Sequence, residues 1–306
     1  MAFEFKKKES VRKAVQRLGR KRIEKALEKL KRCRRLDAVH EVRKEIKQLR
    51  ALLRLVRGAM PGTKYRQYTA TLREAAGHLA AARDAQVKVS ALAGLVAQFK
   101  GELPPGSFGQ IKAILTANCR EQQADLSRTE APIKVARLLN HVARRFGSFK
   151  LEESGWNAIE PGIRRSYRDG RRAYHRADQT RTPGQFHEWR KRVKDLLYQA
   201  KSLGRIWPEQ MHAVQAELKQ LGEWIGDDHD FFLLTEPAAM KKFTQEAPHE
   251  AAALKALVDK RQEDLRAQAL ALGARFYEGK PAAFCQRLRE YWKRWRREPK
   301  GLLRAR

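Results

Sequence analysis

The sequence predicts an all-α protein built as an internal duplication, and three observations carry that prediction. Helical periodicity dominates the chain, and strand-like alternation over several residues is nearly absent. One segment occurs twice: VHEVRKEIKQL at 39–49 is repeated as FHEWRKRVKDL at 186–196, so His187 follows His40 by 147 residues. The punctuation repeats as well. At the same offset Met60-Pro61 falls on Trp207-Pro208, and a proline stops the helix at one place in both copies.

In chain order, the first half is expected to hold helices over 10–34, 38–58, 63–83, 107–127 and 131–146. A connection rich in Gly, Ser and Pro follows, from Gly147 through Ser148, Ser154, Gly155 and Pro161 to Gly162. The second half then supplies helices over 162–178, 184–204, 208–225, 248–274 and 281–297. Shifted by one residue, ATLREAAGHLAAARD at 70–84 lies on AELKQLGEWIGDDHD at 216–230, and Arg83-Asp84 falls on His229-Asp230. Two helical bundles, 1–150 and 151–306, related by a pseudo-two-fold axis, are the expected organisation.

Charge narrows the function classes. The 306 residues contain 66 Lys and Arg against 35 Asp and Glu, a formal charge of +31 spread along the chain. Such a field attracts polyanions: nucleic acid, an anionic membrane surface or polyphosphate. A hydrophobic fraction of 42% suffices for packed cores. Three distant cysteines, Cys33, Cys119 and Cys285, form no disulfide framework or Cys-x-x-Cys pair. No apolar run approaches the ~20 residues a membrane helix needs, and no signal-peptide pattern opens the chain. A soluble, cytoplasmic protein without membrane insertion is expected.

The repeated helix has two faces. At ~100° per residue, His40, Arg43, Lys44, Lys47, Arg50, Arg54 and Arg57 share one sector of roughly 140°. Val42, Ile46, Leu49, Leu52, Leu53 and Val56 lie opposite. The second copy sets His187, Arg190, Lys191, Lys194, Lys201 and Arg205 against Trp189, Val193, Leu196, Leu197 and Leu203, with Asp195 and Tyr198 thinning its ridge. Like charges at i, i+4 cost ~0.2–0.5 kcal/mol per pair, so a ridge this poor in acids gains when an anion arrives. Phosphate oxygens suit it, because Arg grips them as a fork and Lys as a mobile point charge.

Other constellations are weaker. His40-Glu41 and His187-Glu188 begin like the zinc-protease His-Glu-x-x-His, but Lys44 and Lys191 stand where the second ligand belongs. Asp227-Asp228-His229-Asp230 is an acidic spot whose expected work is capping or anchoring basic neighbours, with a divalent metal as the minor reading. Trp292 and Trp295, amid Tyr291, Lys293, Arg294, Arg296 and Arg297, share a helical face and are expected in a core; base stacking is the alternative. No catalytic residue, metal ligand or cofactor site is expected.

With its two His-x-x-Arg-Lys-x-x-Lys helices, each followed after a proline turn by a helix ending in an Arg-Asp-like element, the chain resembles the CHAD family, the conserved histidine α-helical domain. The segment IRRSYRDGRRAY at 163–174 looks like the basic first helix of a second half, and the resemblance spans about residue 5 to residue 297. It implies two four-helix bundles, a central basic surface, binding of long-chain inorganic polyphosphate without catalysis, and association in some members with polyphosphate or other storage granules and their proteins. Residue by residue it implies a binding set of His40, Arg43, Lys44, Lys47 and Arg50 with His187, Arg190, Lys191 and Lys194; Leu197 stands where Arg50 has its match. Arg12, Lys13 and Arg20, and Arg164, Arg165, Arg168, Arg171 and Arg172, are added on the first helix of each half. Some members carry a CYTH triphosphatase domain that begins Glu-x-Glu-x-Lys. Here Ala2-Phe3-Glu4-Phe5-Lys6 keeps only the second glutamate and the lysine, so a standalone CHAD domain is expected. The alternatives are a basic nucleic-acid-binding protein and a metal-dependent polyphosphate or triphosphate hydrolase.

Overall fold

The computed structural model describes residues 3–32, 36–146 and 149–297; Cys33, the end of the first expected helix, and Gly147 and Ser148 lie outside the described residues. Helices α1 (Val11–Leu30), α2 (Leu36–Leu55), α3 (Gly62–Gly77), α4 (Ala80–Gln98), α5 (Gly109–Arg128) and α6 (Ala131–Phe146) form the first half. Helices α7 (Glu160–Thr180), α8 (Pro183–Ser202), α9 (Pro208–Leu234), α10 (Pro237–Glu246), α11 (Pro248–Phe276) and α12 (Pro281–Arg297) form the second. Among the described residues there is no strand, and no helix is long and apolar enough to cross a membrane.

Local chemistry sets the helix starts. Ser10 caps α1 by accepting from the Lys13 N–H. Pro161, Pro183, Pro208, Pro237 and Pro248 sit in the first turns of α7 to α11, where a missing N–H costs nothing. The expected helix over 63–83 is in fact two, because the chain turns at His78 and Leu79 before α4 continues to Gln98. In the other copy no break occurs: α9 runs unbroken through Asp227–Asp230 to Leu234, beyond the expected end at 225. Helix α10 was not foreseen; at ten residues it is too short for a clear periodic signal.

Helices α1, α2, α3 and α6 pack as one bundle, and α7, α8, α9 and α12 as a second. The pairings correspond: α1 on α2 as α7 on α8, and α1 on α6 as α7 on α12, as an internal duplication would have them. One hydrophobic cluster joins the two bundles, with Val39, Val42, Ile46, Leu49 and Leu52 of α2, Val56 just after it, and Phe186, Trp189, Val193, Leu196 and Leu197 of α8 all buried in it. A separate cluster holds α4, α5, α10, α11 and the end of α9 together as an arm, with Leu95, Ile111, Leu234, Phe243, Leu254 and Leu265 inside. Glu250 of α11 fastens this arm by accepting from the Gln110 and Ile111 N–H groups at the start of α5. Trp292 and Trp295 are buried in the main cluster, as their shared face predicted. Cys119 and Cys285 are buried free thiols.

The halves meet along α2 and α8, which run antiparallel. Arg54 near the end of α2 pairs with Asp195, while Lys44 near its start lies within electrostatic reach of Lys201. The Gln199 amide donates to the Ala51 carbonyl at 3.3 Å between them. Helix α7 approaches α2 so closely that a Cβ on Gly162 would collide with the Leu55 carbonyl.

Candidate polyanion-binding groove

The ridges of α2 and α8 come together in one groove, which α4 and α9 complete. Lys47 is solvent-exposed, yet protein surrounds its ammonium and Arg190, Arg43, Arg83 and Lys194 face it. Water reaches such a charge without hydrating it fully, as a groove dictates. Burial, reinforced by those four cations, pushes Lys47 down to about 7. Burial and then Arg190 push Lys194 down to about 8. Two glycines on α9 make room for these side chains. A Cβ on Gly222 would stand 2.7 Å from Lys194 Nζ, and one on Gly226 would stand 3.4 Å from Arg190 Nε.

The histidines behave differently from one another. His40 is exposed, and its pKa is lowered by partial burial and then by Arg83. His187 lies with its ring centroid 4.0 Å from that of His229. Burial and then Lys191 push His187 to about 4, and burial and then His187 itself push His229 to about 3. Both are neutral at physiological pH, so each offers one N–H donor. The Nδ1 of His187 and the Nε of Arg190 are buried without a hydrogen-bond partner.

The glutamates of the repeated motif serve their own helices. Glu41 pairs with Lys44 at 3.3 Å, and Glu188 pairs with Lys191 at 2.6 Å. Arg43 is partly diverted from the groove, because it donates to the Ala76 carbonyl in the last turn of α3. Two carboxylates, Asp84 and Asp230, lie among the cations at matching positions of the repeat. Burial raises both pKa values. Arg43 opposes it at Asp84, and Arg190 and Arg83 oppose it at Asp230.

The Asp227–Asp230 segment divides its labour. Asp228 is buried and bonds to Arg266 at 2.6 Å and Gln262 at 3.1 Å, tying α9 to α11. His229 and Asp230 turn to the groove. Among the described residues, no three His, Cys, Asp or Glu side chains converge as a metal site requires.

Not every expected residue reaches the groove. His40, Arg43, Lys44, Lys47, Arg50, His187, Arg190, Lys191 and Lys194 lie along it on α2 and α8. Buried Arg22 marks the face of α1 that meets α2, through Glu45 at 3.0 Å and Gln48 at 3.0 Å. At the helical pitch Lys13 and Arg20 stand half a turn from Arg22, exposed and pointing away from α2. Arg12 is exposed on the same helix. Arg171 of α7 donates to the Tyr277 carbonyl at 2.8 Å, Arg168 pairs with Asp169, and Arg164 lies by Cys285 of α12. Arg165 and Arg172 are exposed on α7. Lys13 and Arg20 thus face away from α2, and Arg164, Arg168 and Arg171 have their neighbours on α7, α12 and the end of α11.

Sequence reasoning passed over Arg83, His229, Asp84 and Asp230, although the repeat alignment had already set Arg83-Asp84 on His229-Asp230. It also passed over Arg73 and Arg192, which no single helical projection places beside α2.

Fold and groove define an all-helical protein whose two related bundles face a common polycationic groove. A CHAD-domain family model matches residues 11–238, and the chain belongs to the CHAD-domain family. It is similar in fold to the crystal structure of the CHAD domain from the plant Ricinus communis, with a TM-score of 0.57 and 16% identity over 92% of this chain and 89% of that one. No curated protein matches it in sequence.

Proposed function

We propose that the protein binds long-chain inorganic polyphosphate in the groove between α2 and α8 and does not catalyse its turnover. One observation carries the reading: Lys47, Lys194, Arg43, Arg83 and Arg190 converge from three helices, and burial together with those neighbours pushes Lys47 to about 7. An anion entering the groove relieves that repulsion. Family membership favours polyphosphate among the polyanions. Its repeating phosphates need no base-reading pocket, and affinity climbs with chain length through repeated contacts. Held to polyphosphate, the protein goes where polyphosphate accumulates, granules included.

Competition tests the ligand. Long polyphosphate should survive challenge by duplex and single-stranded DNA at equal phosphate concentration; displacement by either would assign the groove to nucleic acid. Incubation with triphosphate or polyphosphate and Mg²⁺ or Mn²⁺ should release no phosphate. Release abolished by Asp227→Lys with Asp228→Lys would make the protein a hydrolase.

A further inference from the structure

The two ends of the groove are chemically unequal although the repeat makes them equivalent in position. At one end Arg50 lies within electrostatic reach of Arg73 and Arg192, and Arg54 within reach of Arg192 and Arg50. The positions matched by the repeat at the other end are Leu197 for Arg50, Lys201 for Arg54, Lys219 for Arg73 and Glu45 for Arg192. Leu197 is buried, and Glu45 is held by Arg22. One end therefore gathers four guanidiniums, while the other keeps three ammoniums, Lys44, Lys201 and Lys219, beside Glu223.

Two carboxylates reach the guanidinium end: Glu188 accepts from Arg192 at 3.5 Å on the outer side, and Asp195 lies between the helices. Asp195 pairs with Arg54 across the α2–α8 junction and with Arg192 at 3.6 Å on its own helix. Its counterpart at the other end is Gln48, which carries no charge. The Arg50 Nε is enclosed there without a hydrogen-bond partner. Four guanidinium forks exceed what the two oxygens of Asp195 and the one Glu188 contact to Arg192 can satisfy.

We propose that Arg50, Arg54, Arg73 and Arg192 form a subsite for the terminal phosphate of a polyphosphate chain, and that Asp195 occupies it in the free protein. An internal phosphate carries one negative charge and two free oxygens. A terminal phosphate carries up to two charges and three free oxygens, so it alone outbids Asp195 for several forks at once. The groove is then directional: a chain end lodges among the arginines, and its interior runs past Lys47 and Lys194. This subsite rests on the reading of the groove as a polyphosphate site.

The test compares linear tetraphosphate with cyclic hexaphosphate, which has equal full charge and no chain end, by calorimetry on the full chain. Wild type should bind the linear form about tenfold tighter, the discrimination of one or two charge-assisted contacts. Asp195→Asn should tighten the linear form more than the cyclic form. Arg73→Ala, at an exposed position, should erase the preference. Equal binding of the two forms by wild type, or a preference that survives Arg73→Ala, would overturn the subsite. Should Asp195→Asn fail to fold, the wild-type comparison and Arg73→Ala still decide. Long polyphosphate, titrated alongside, separates the two readings. Its failure to bind would overturn the function itself, whereas long-chain binding without end preference would overturn only the subsite.

Discussion

Polyphosphate binding should draw protons into the protein, and the groove sets how many. In the free protein Lys47 titrates at about 7 and Lys194 at about 8. At pH 8 the first is then roughly 10% protonated and the second roughly half. A bound polyanion supplies opposite charge that offsets both the burial and the cation repulsion that lowered them, and returns both toward the ordinary lysine value, where they are fully charged. Uptake at pH 8 is therefore ~0.9 from Lys47 and ~0.5 from Lys194, or ~1.4 protons per binding event. By linkage, log Kd should rise by about 1.4 per pH unit near pH 8. Calorimetry in buffers of different ionisation enthalpy measures the number directly. Lys47→Arg holds its charge throughout and should reduce uptake to ~0.5. Uptake below ~0.3 in wild type, or unchanged uptake in Lys47→Arg, would refute the crowding argument. Folding responds to the same groups with a defined sign. A lysine depressed in the folded state leaves the unfolded chain binding more protons between about 7 and the usual lysine value. The free protein should thus gain stability as pH rises through that window, which urea midpoints at pH 7 and pH 9 would show.

Three further outcomes follow from other parts of the molecule. Affinity for polyphosphate should fall steeply and linearly on a plot of log K against log salt, and binding that stays level from low to physiological salt would contradict a groove of phosphate contacts. Gly162→Ala should cost about 1–3 kcal/mol in denaturant melts, because the new Cβ meets the Leu55 carbonyl, which belongs to a helix and cannot move aside; a loss below ~0.5 kcal/mol would show that α7 can shift off α2. Arg22→Met should destabilise by about 3–5 kcal/mol, since it strands the buried Glu45 carboxylate, while Arg22→Met with Glu45→Leu should recover most of that loss.

The amino-acid sequence by itself determined the all-helical class, the duplication pattern and the cationic ridges. Each is a local property: helical spacing of apolar residues in α2 and α8, prolines at helix starts, and one charged motif written twice. Nine of the seventeen residues expected at the site line the groove because they share a helix face that periodicity alone locates. What lies across the groove is not local. Arg83, His229, Asp230, Arg73 and Arg192 join the site only because α2 and α8 cross antiparallel, α3 packs against α2 and α4 packs against α9. Lys13 and Arg20 point away from α2 and Arg171 turns to Tyr277 for the same kind of reason, since a helix's charge says nothing about which neighbour its face meets. The depressed pKa of Lys47 also belongs to the tertiary structure. It arises first from burial between packed helices and then from cations of which Arg83, Arg190 and Lys194 lie 36 to 147 residues away in sequence, brought close once the two halves fold against each other.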